Sequence, residues 1–341
     1  MSDNNRAPLF LCVAPSGLEP ALSQFRLAMG GKAFDLFDKS DGGKPDFSGR
    51  RAVVDLGGWG TREETTAAVA AGVKLWHVLG YGLDHVDLDY LLRNGVTVAH
   101  TPGSCSAISL AEHAMMLMLN CTRQMNEQQA NLRVGEFWHP WTTDLAGKRL
   151  LLLGVGASGK ELAARAAAFQ MEVVGVDVAI ETSRTYKQLG ISSVSPPSAL
   201  PDLLPRADVI SLHLPLTADT HHIIDREALA RVKPTAILIN VARGALIDQQ
   251  ALLEALNEGR PAACGLDVFE DEVPGHRPEI ADHPCVIATP HTAGVTYQTA
   301  QRRSQLVVDN LVRLERGEPI LHTVSLRDDF LPAAHASIDK Q

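Results

Sequence analysis

Between Arg149 and Phe169 the chain reads RLLLLGVGASGKELAARAAAF: an apolar run, glycines at positions 154, 156 and 159, then an alanine-rich segment. A run of leucines closed by a glycine turn suits a strand buried on both faces, and the alanine-rich segment suits a helix. The junction then has a mechanical reading. Gly154 permits the tight turn, Gly156 lets the backbone approach a pyrophosphate, and Gly159 lets helix and strand pack closely. Ala157 and Ser158 stand at the helix N-terminus, where N–H groups and positive potential favour an anion. Asp177 ends the next apolar run, about 20 residues on, at the interval expected of an acid that hydrogen-bonds the ribose hydroxyls of NAD.

The same grammar extends along the chain. Apolar runs at Leu150 to Leu153, Val173 to Val176, Val209 to Leu212, Ala236 to Val241, Ala263 to Phe269 and Val286 to Ala288 alternate with helix-like segments, which predicts six parallel strands covered on both faces. Asp225 and Asp248 are expected to cap helices, with Gly259 ending the second. Between Asp177 and Leu200 the pattern supports only a short or irregular helix.

The first hundred residues hold a second series: LFLCVA, KAFDLF, RAVVDLG, KLWHVLG and GVTVAHTP. The fold class is therefore α/β, with two doubly wound parallel-sheet domains, Rossmann-like and flavodoxin-like, and a cleft between them. The helical segment SLAEHAMMLMLNCTRQM is long enough to cross between domains, and a helix near Thr299 to Arg316, ended by Gly317, returns the chain to the first. The expected division is residues 1–111 with 298–341 for substrate, and 112–297 for the dinucleotide.

Composition removes other classes. A net charge of −9 opposes attraction to phosphate backbones and anionic membranes, so nucleic acid is not an expected partner. No apolar run is long enough to span a bilayer, and the N-terminus MSDNNRAP lacks a signal layout, so a cytoplasmic setting without membrane association is expected. Cys12, Cys105, Cys121, Cys264 and Cys285 lack CxxC spacing and read as reduced, buried thiols, with no metal site.

Three residues follow predicted strands at the edge where an open parallel sheet binds ligands: Arg243, Glu272 and His291. Interconverting a secondary alcohol and a ketone moves a proton at oxygen as hydride moves at carbon, and His is the side chain poised for that near neutral pH. His291 is the candidate acid/base. A carboxylate beside it, assigned to Glu272, would fix its tautomer and favour the imidazolium. A substrate carboxylate next to the carbonyl wants a planar double donor, which Arg243 supplies.

These residues resemble the D-isomer-specific 2-hydroxyacid dehydrogenases. The likeness covers nearly the whole chain and rests on GVGASG with Asp177, HLPLT at His213 to Thr217, INVARGALID at Ile239 to Asp248, GLDVFEDE at Gly265 to Glu272 and TPHTAGVT at Thr289 to Thr296. It implies an NAD-dependent enzyme acting on small 2-hydroxy or 2-oxo acids, with Arg243, Glu272 and His291 catalytic. It also implies that Leu214, Pro215, Val241 and Ala242 line the cofactor, that Asp267 and the segment from His291 to Gly294 contact the nicotinamide carboxamide, and that Tyr81 and Gly82 in VLGYGLDHVDL lie over the substrate.

Trp59, Tyr81 and Ser104 are expected near the side-chain pocket, whose loops show no basic cluster for a phosphorylated substrate. The resemblance further implies a homodimer embraced by an arm from Gln124 to Trp141. Three departures concern loop geometry: Ala157 and Ser158 replace a more usual apolar pair, Val273 stands where Pro often follows the Glu, and the stretch between TPG and AEH is slightly long. Formate dehydrogenases of the same fold carry Gln at the place of Glu272, which argues against that activity. Phosphite dehydrogenases and NAD-sensing corepressors share the pattern, and the short tails favour an enzyme. No C-terminal regulatory domain is expected.

Overall fold

In the computed structural model, which describes residues 6–12, 15–58, 60–83, 86–273 and 275–325, the chain divides into two units, Met1–Cys105 with Thr296–Gln341 and Ser106–Val295.

The first unit holds β1 (Leu9–Cys12), β2 (Asp35–Asp38), β3 (Ala52–Asp55), β4 (Leu75–Val78) and β5 (Thr97–His100), all parallel, in the order β2-β1-β3-β4-β5. Helices α1 (Pro15–Met29), α2 (Arg62–Ala70) and α3 (Leu88–Arg93) connect them. The Tyr297–Arg316 helix packs on α1, and its Val307, Val308 and Leu311 join Phe10, Leu22, Phe25 and Leu75 in one core. Gly317 ends that helix in the left-handed conformation, at φ 67°, where a side chain would be strained. A polar tie reinforces the packing: Asn310 Nδ2 donates to Nε2 of His77, 3.0 Å away, and to the carbonyl of Leu321. Burial holds the His77 imidazole neutral, its pKa pushed down to about 4.

The second unit begins with α4 (Ala107–Thr122) and α5 (Met125–Arg133). Its strands are β6 (Arg149–Leu153), β7 (Glu172–Val176), β8 (Ile191–Ser195), β9 (Val209–Leu212), β10 (Ile237–Asn240), β11 (Ala263–Leu266) and β12 (Val286–Ala288), all parallel. They are joined through α6 (Ala157–Ala168), α7 (Ser183–Gln188), α8 (Leu200–Leu203), α9 (Arg226–Arg231) and α10 (Gln249–Asn257). The strand order is β12-β11-β10-β9-β6-β7-β8, so the chain leaves the sheet centre in both directions from β6. The four leucines of β6 explain themselves: Leu151 and Leu153 enter the core on one face, Leu150 and Leu152 the core on the other. Asp225 and Asp248 cap α9 and α10 as expected, each accepting from the backbone N–H three residues on.

Two expectations need correction. The sheet has seven strands, because β8 follows α7 in the stretch read as an irregular helix. Its sequence ISSVS is polar and it lies at the sheet edge, so the continuous apolar signal of a central strand is absent. The helix expected to cross between domains, α4, is a core helix of the second unit. Gly265 on β11 lies so close to it that a β-carbon there would come within 2.8 Å of Leu117 Cβ. Cys121 and Cys264 are buried free thiols, whereas Cys105 and Cys285 are only half-buried.

Candidate active site

Every strand of the second unit's sheet runs the same way, so the loops after β6, β7, β9, β10, β11 and β12 leave from one edge. At the first of these, Gly154 has φ 95°, and a β-carbon on it would lie 2.6 Å from the carbonyl oxygen of His213. Gly159 is equally constrained: its β-carbon would meet the Gly154 carbonyl oxygen at 2.2 Å. Gly156 has nothing within 4 Å of its absent side chain. It caps α6 without a side-chain hydrogen bond, so the N–H groups of Ala157 and Ser158 lie at an open helix N-terminus. The open space at Gly156 and the free N–H donors together fit a pyrophosphate.

Asp177, just beyond β7, accepts from Val155 N–H at 2.7 Å and from Ala179 N–H at 2.8 Å, so its carboxylate is fixed beside the glycine loop. Nearby Glu181 pairs with Lys160, and Arg184 is exposed on α7. Beyond β9, Leu214 and Pro215 are half-buried, and Leu214 N would lie 3.1 Å from a β-carbon on Gly154, so this loop abuts the glycine loop.

Beyond β10, Val241 and Ala242 are buried and Asn240 organises the turn, its side chain accepting from Ala242 N–H and donating to the Arg243 carbonyl. The Arg243 guanidinium donates to the Ala242 carbonyl at 2.8 Å. The next residue, Gly244, admits no side chain, since a β-carbon would fall 1.9 Å from the carbonyl carbon of Phe269. The loop of Arg243 is thereby pressed against the loop of Glu272.

Glu272 Oε1 accepts from Phe269 N–H at 3.0 Å, and Oε2 lies 2.6 Å from Nδ1 of His291. Burial alone would raise the pKa of this carboxyl. The hydrogen bond and charge of His291, the Phe269 N–H and the charge of Arg243 outweigh it, and hold the group below the usual carboxylate range. Glu272 is therefore ionised at neutral pH. With Nδ1 committed to Glu272, the outer nitrogen Nε2 of His291 is left for a reactant, on a ring that is half exposed.

His291 itself has φ 54°, a conformation that a side chain with a β-carbon rarely adopts. What holds it is Asp267. His291 N–H donates to the Asp267 carbonyl at 2.7 Å, and the Asp267 carboxylate accepts from Thr289 Oγ1, Thr292 N–H and Ala293 N–H. Burial would raise the Asp267 pKa, but these bonds and one from His113 hold it down. The Asp267 side chain is buried, and its carboxylate is tied to the Thr289–Ala293 segment that carries His291. It positions the loop from His291 to Gly294. His113, on α4, was not anticipated: Nε2 lies 2.9 Å from Thr289 Oγ1 and 3.3 Å from Asp267 Oδ1. Only the AEH triplet could have drawn attention to it.

Tyr81 and Gly82 belong to the first unit, in the loop after β4. Nδ1 of His100 lies 3.0 Å from the Tyr81 carbonyl, and the Tyr81 ring covers Gly103. A β-carbon on Gly58 would approach the Gly82 carbonyl at 3.3 Å, so loops after β3, β4 and β5 gather at the carboxyl edge of that sheet. Trp59 lies outside the described residues, as do Asp84 and His85 of the same motif. Among the described residues no cluster of metal-binding side chains occurs, and no helix is long and apolar enough to cross a membrane.

Comparison with known proteins agrees with this geometry. Residues 115–293 match the NAD binding domain of the D-isomer specific 2-hydroxyacid dehydrogenases. The chain is 37% identical over 257 residues to a glyoxylate reductase of Korarchaeum cryptofilum, covering 73% of this chain and 75% of that one. It is 37% identical over 250 residues to a D-3-phosphoglycerate dehydrogenase of Methanocaldococcus jannaschii, covering 72% of this chain but only 46% of that longer protein. Among solved structures, D-lactate dehydrogenase from Aquifex aeolicus, complexed with NAD and lactic acid, superposes with a TM-score of 0.78 at 27% identity, covering 91% of this chain and 96% of that one. The glycine cradle, the acid after β7 and the match across the second unit lead to one conclusion: the chain belongs to the D-isomer specific 2-hydroxyacid dehydrogenases, NAD-binding oxidoreductases that act on the CH–OH group of their donors.

Proposed function

We propose that this chain interconverts a small 2-oxo acid and the corresponding D-2-hydroxy acid, with His291 and Glu272 as the acid/base pair and Arg243 as the substrate clamp. The observation that carries this reading is the 2.6 Å contact between His291 Nδ1 and an ionised Glu272, which leaves Nε2 directed away from its partner. Bound NADH supplies the hydride that reaches the carbonyl carbon. His291 gives the proton from Nε2 to the carbonyl oxygen, and Glu272 stabilises the imidazolium until it does. Arg243 pairs through two N–H groups with the substrate carboxylate. Ala157 and Ser158 N–H groups hold the pyrophosphate, and Asp177 the adenosine ribose.

The similarity to glyoxylate reductases and to a D-lactate dehydrogenase supports a compact 2-oxo acid. Oxidation of NADH should therefore be followed with glyoxylate, hydroxypyruvate, pyruvate and phosphohydroxypyruvate. Turnover of one or more is the expected result. A protein that binds NADH yet reduces none of them would overturn the proposal.

The same reading includes a homodimer. Between Gln124 and Trp141 the chain exposes Leu132, Val134, Phe137, Trp138 and Trp141, the two tryptophans about 90% exposed, a density of apolar surface that a lone subunit would leave to water. A second copy would cover it, and sedimentation of the wild type against Trp138→Ser tests this. Free thiols at Cys105, Cys121, Cys264 and Cys285 suit a reducing compartment such as the cytoplasm.

A further inference from the structure

Ser211, His213 and Ser158 form a hydrogen-bonded row that the reaction above does not use. Ser211 is fully buried on β9, and its Oγ lies 3.0 Å from Nε2 of His213. Nδ1 of the same ring lies 3.0 Å from Oγ of Ser158, in the first turn of α6. The imidazole is neutral, because burial pushes its pKa down to about 4.

A neutral imidazole carries one N–H and one in-plane lone pair, so the row has two polarities. In one, Ser158 gives its hydrogen to Nδ1, and Nε2–H points to Ser211. In the other, Ser211 gives its hydrogen to Nε2, Nδ1–H points to Ser158, and the Ser158 hydrogen is released outward. A phosphate oxygen accepts hydrogen bonds and cannot donate one. Only the second polarity serves it.

We infer that the Ser158 hydroxyl donates a hydrogen bond to the cofactor pyrophosphate, and that Ser211, acting through His213, sets the direction of that hydrogen. The inference rests on the pyrophosphate lying at the N-terminus of α6. Ser158 is half-exposed there, beside the open space left by Gly156, so its hydroxyl faces both the ring and the cradle. A residue at position 158 without a side-chain donor could offer its backbone N–H alone. Ser158 adds a side-chain donor, and Ser211 is a positioning residue that never touches the cofactor.

The test is NADH and ADP-ribose binding, by nucleotide fluorescence and competition, to the wild type, Ser158→Ala, Ser158→Thr and Ser211→Ala. Losing a hydrogen bond to a charged group weakens binding by about tenfold or more, so Ser158→Ala should raise Kd for both ligands by that factor. In turnover the loss should fall on KM for NADH more than on kcat. Ser158→Thr should restore most of it, and Ser211→Ala should weaken NADH in the same sense by a smaller factor. Nitrogen NMR of the His213 ring in the wild type should show the Nδ1–H form gaining on NADH addition. Unchanged Kd in Ser158→Ala, or an Nε2–H ring in the complex, would overturn the inference. Failure of the wild type to bind ADP-ribose would instead overturn the placement of the pyrophosphate.

Discussion

Nδ1 of His291 and Oε2 of Glu272 lie 2.6 Å apart, although the two residues leave the sheet on different loops, after β12 and β11. Glu272→Gln keeps the shape of this contact and removes its charge. A neutral amide stabilises the imidazolium less than a carboxylate, so the alkaline limb of the reductive pH profile should move to lower pH. kcat/KM followed against pH checks this, and an unmoved profile would separate the pair. Removal of the ring by His291→Ala should lower turnover about 10²- to 10⁴-fold, the contribution of a positioned general acid.

Arg243→Lys retains a positive charge and loses the planar double donor. The expected drop in kcat/KM for 2-oxo acids is about 10²-fold, since a charged hydrogen bond lost at a reacting substrate costs a few kcal/mol. Steady-state kinetics on the best substrate decides it. Wild-type rates would mean that another group holds the carboxylate.

Coenzyme choice falls to Asp177. Its two oxygens are anchored by Val155 and Ala179 N–H groups, so if the ribose binds here as proposed, a 2′-phosphate would meet a fixed carboxylate. Glu181 adds less repulsion than its position in the sequence suggests, because Lys160 neutralises it. NADH should be preferred over NADPH by about 10²-fold, and Asp177→Ser should erode most of that preference. kcat/KM for the two coenzymes at equal ionic strength is the measurement. Equal use of NADPH by the wild type would show that Arg184 dominates.

Stability should fall on acidification through two desolvated imidazoles, one fully buried and one partly. His77 and His213 have native pKa values of about 4, against about 6.5 in an unfolded chain. Between those limits the unfolded state binds more protons, so stability is lost as pH falls through 6.5 and levels off below 4, by up to about 3 kcal/mol for each ring. Thermal unfolding from pH 7 to pH 4 should show the slope. His77→Gln, which can still accept from Asn310, should make it shallower; an unchanged slope would remove His77 as a source.

The glycine loop was legible because its requirements are local: a positive φ at Gly154 and backbone contacts at Gly154 and Gly159 can be met by one residue type. The position of Arg243, Glu272 and His291 at one sheet edge was legible because each follows an apolar run, and a parallel sheet gathers such positions there. The Ser158–His213 contact and the His113–Thr289 contact were hidden for the opposite reason, since their partners come from distant strands and helices and no spacing encodes the pairing. The bonds by which Asp267 ties down the segment Thr289–Ala293 were not legible, because a motif places a carboxylate near a site without showing which N–H groups it accepts from. β8 escaped because a polar edge strand looks like a loop.

All residues proposed for proton and cofactor fall within the unbroken stretch Ser106–Val295, while the other unit is assembled from both ends of the chain. One genetic crossover at each border therefore replaces the framing segments without editing a single one of those residues. The reactive machinery is inherited as a cassette. The remaining segments are what selection, or a protein engineer, can rewrite around it in sequence.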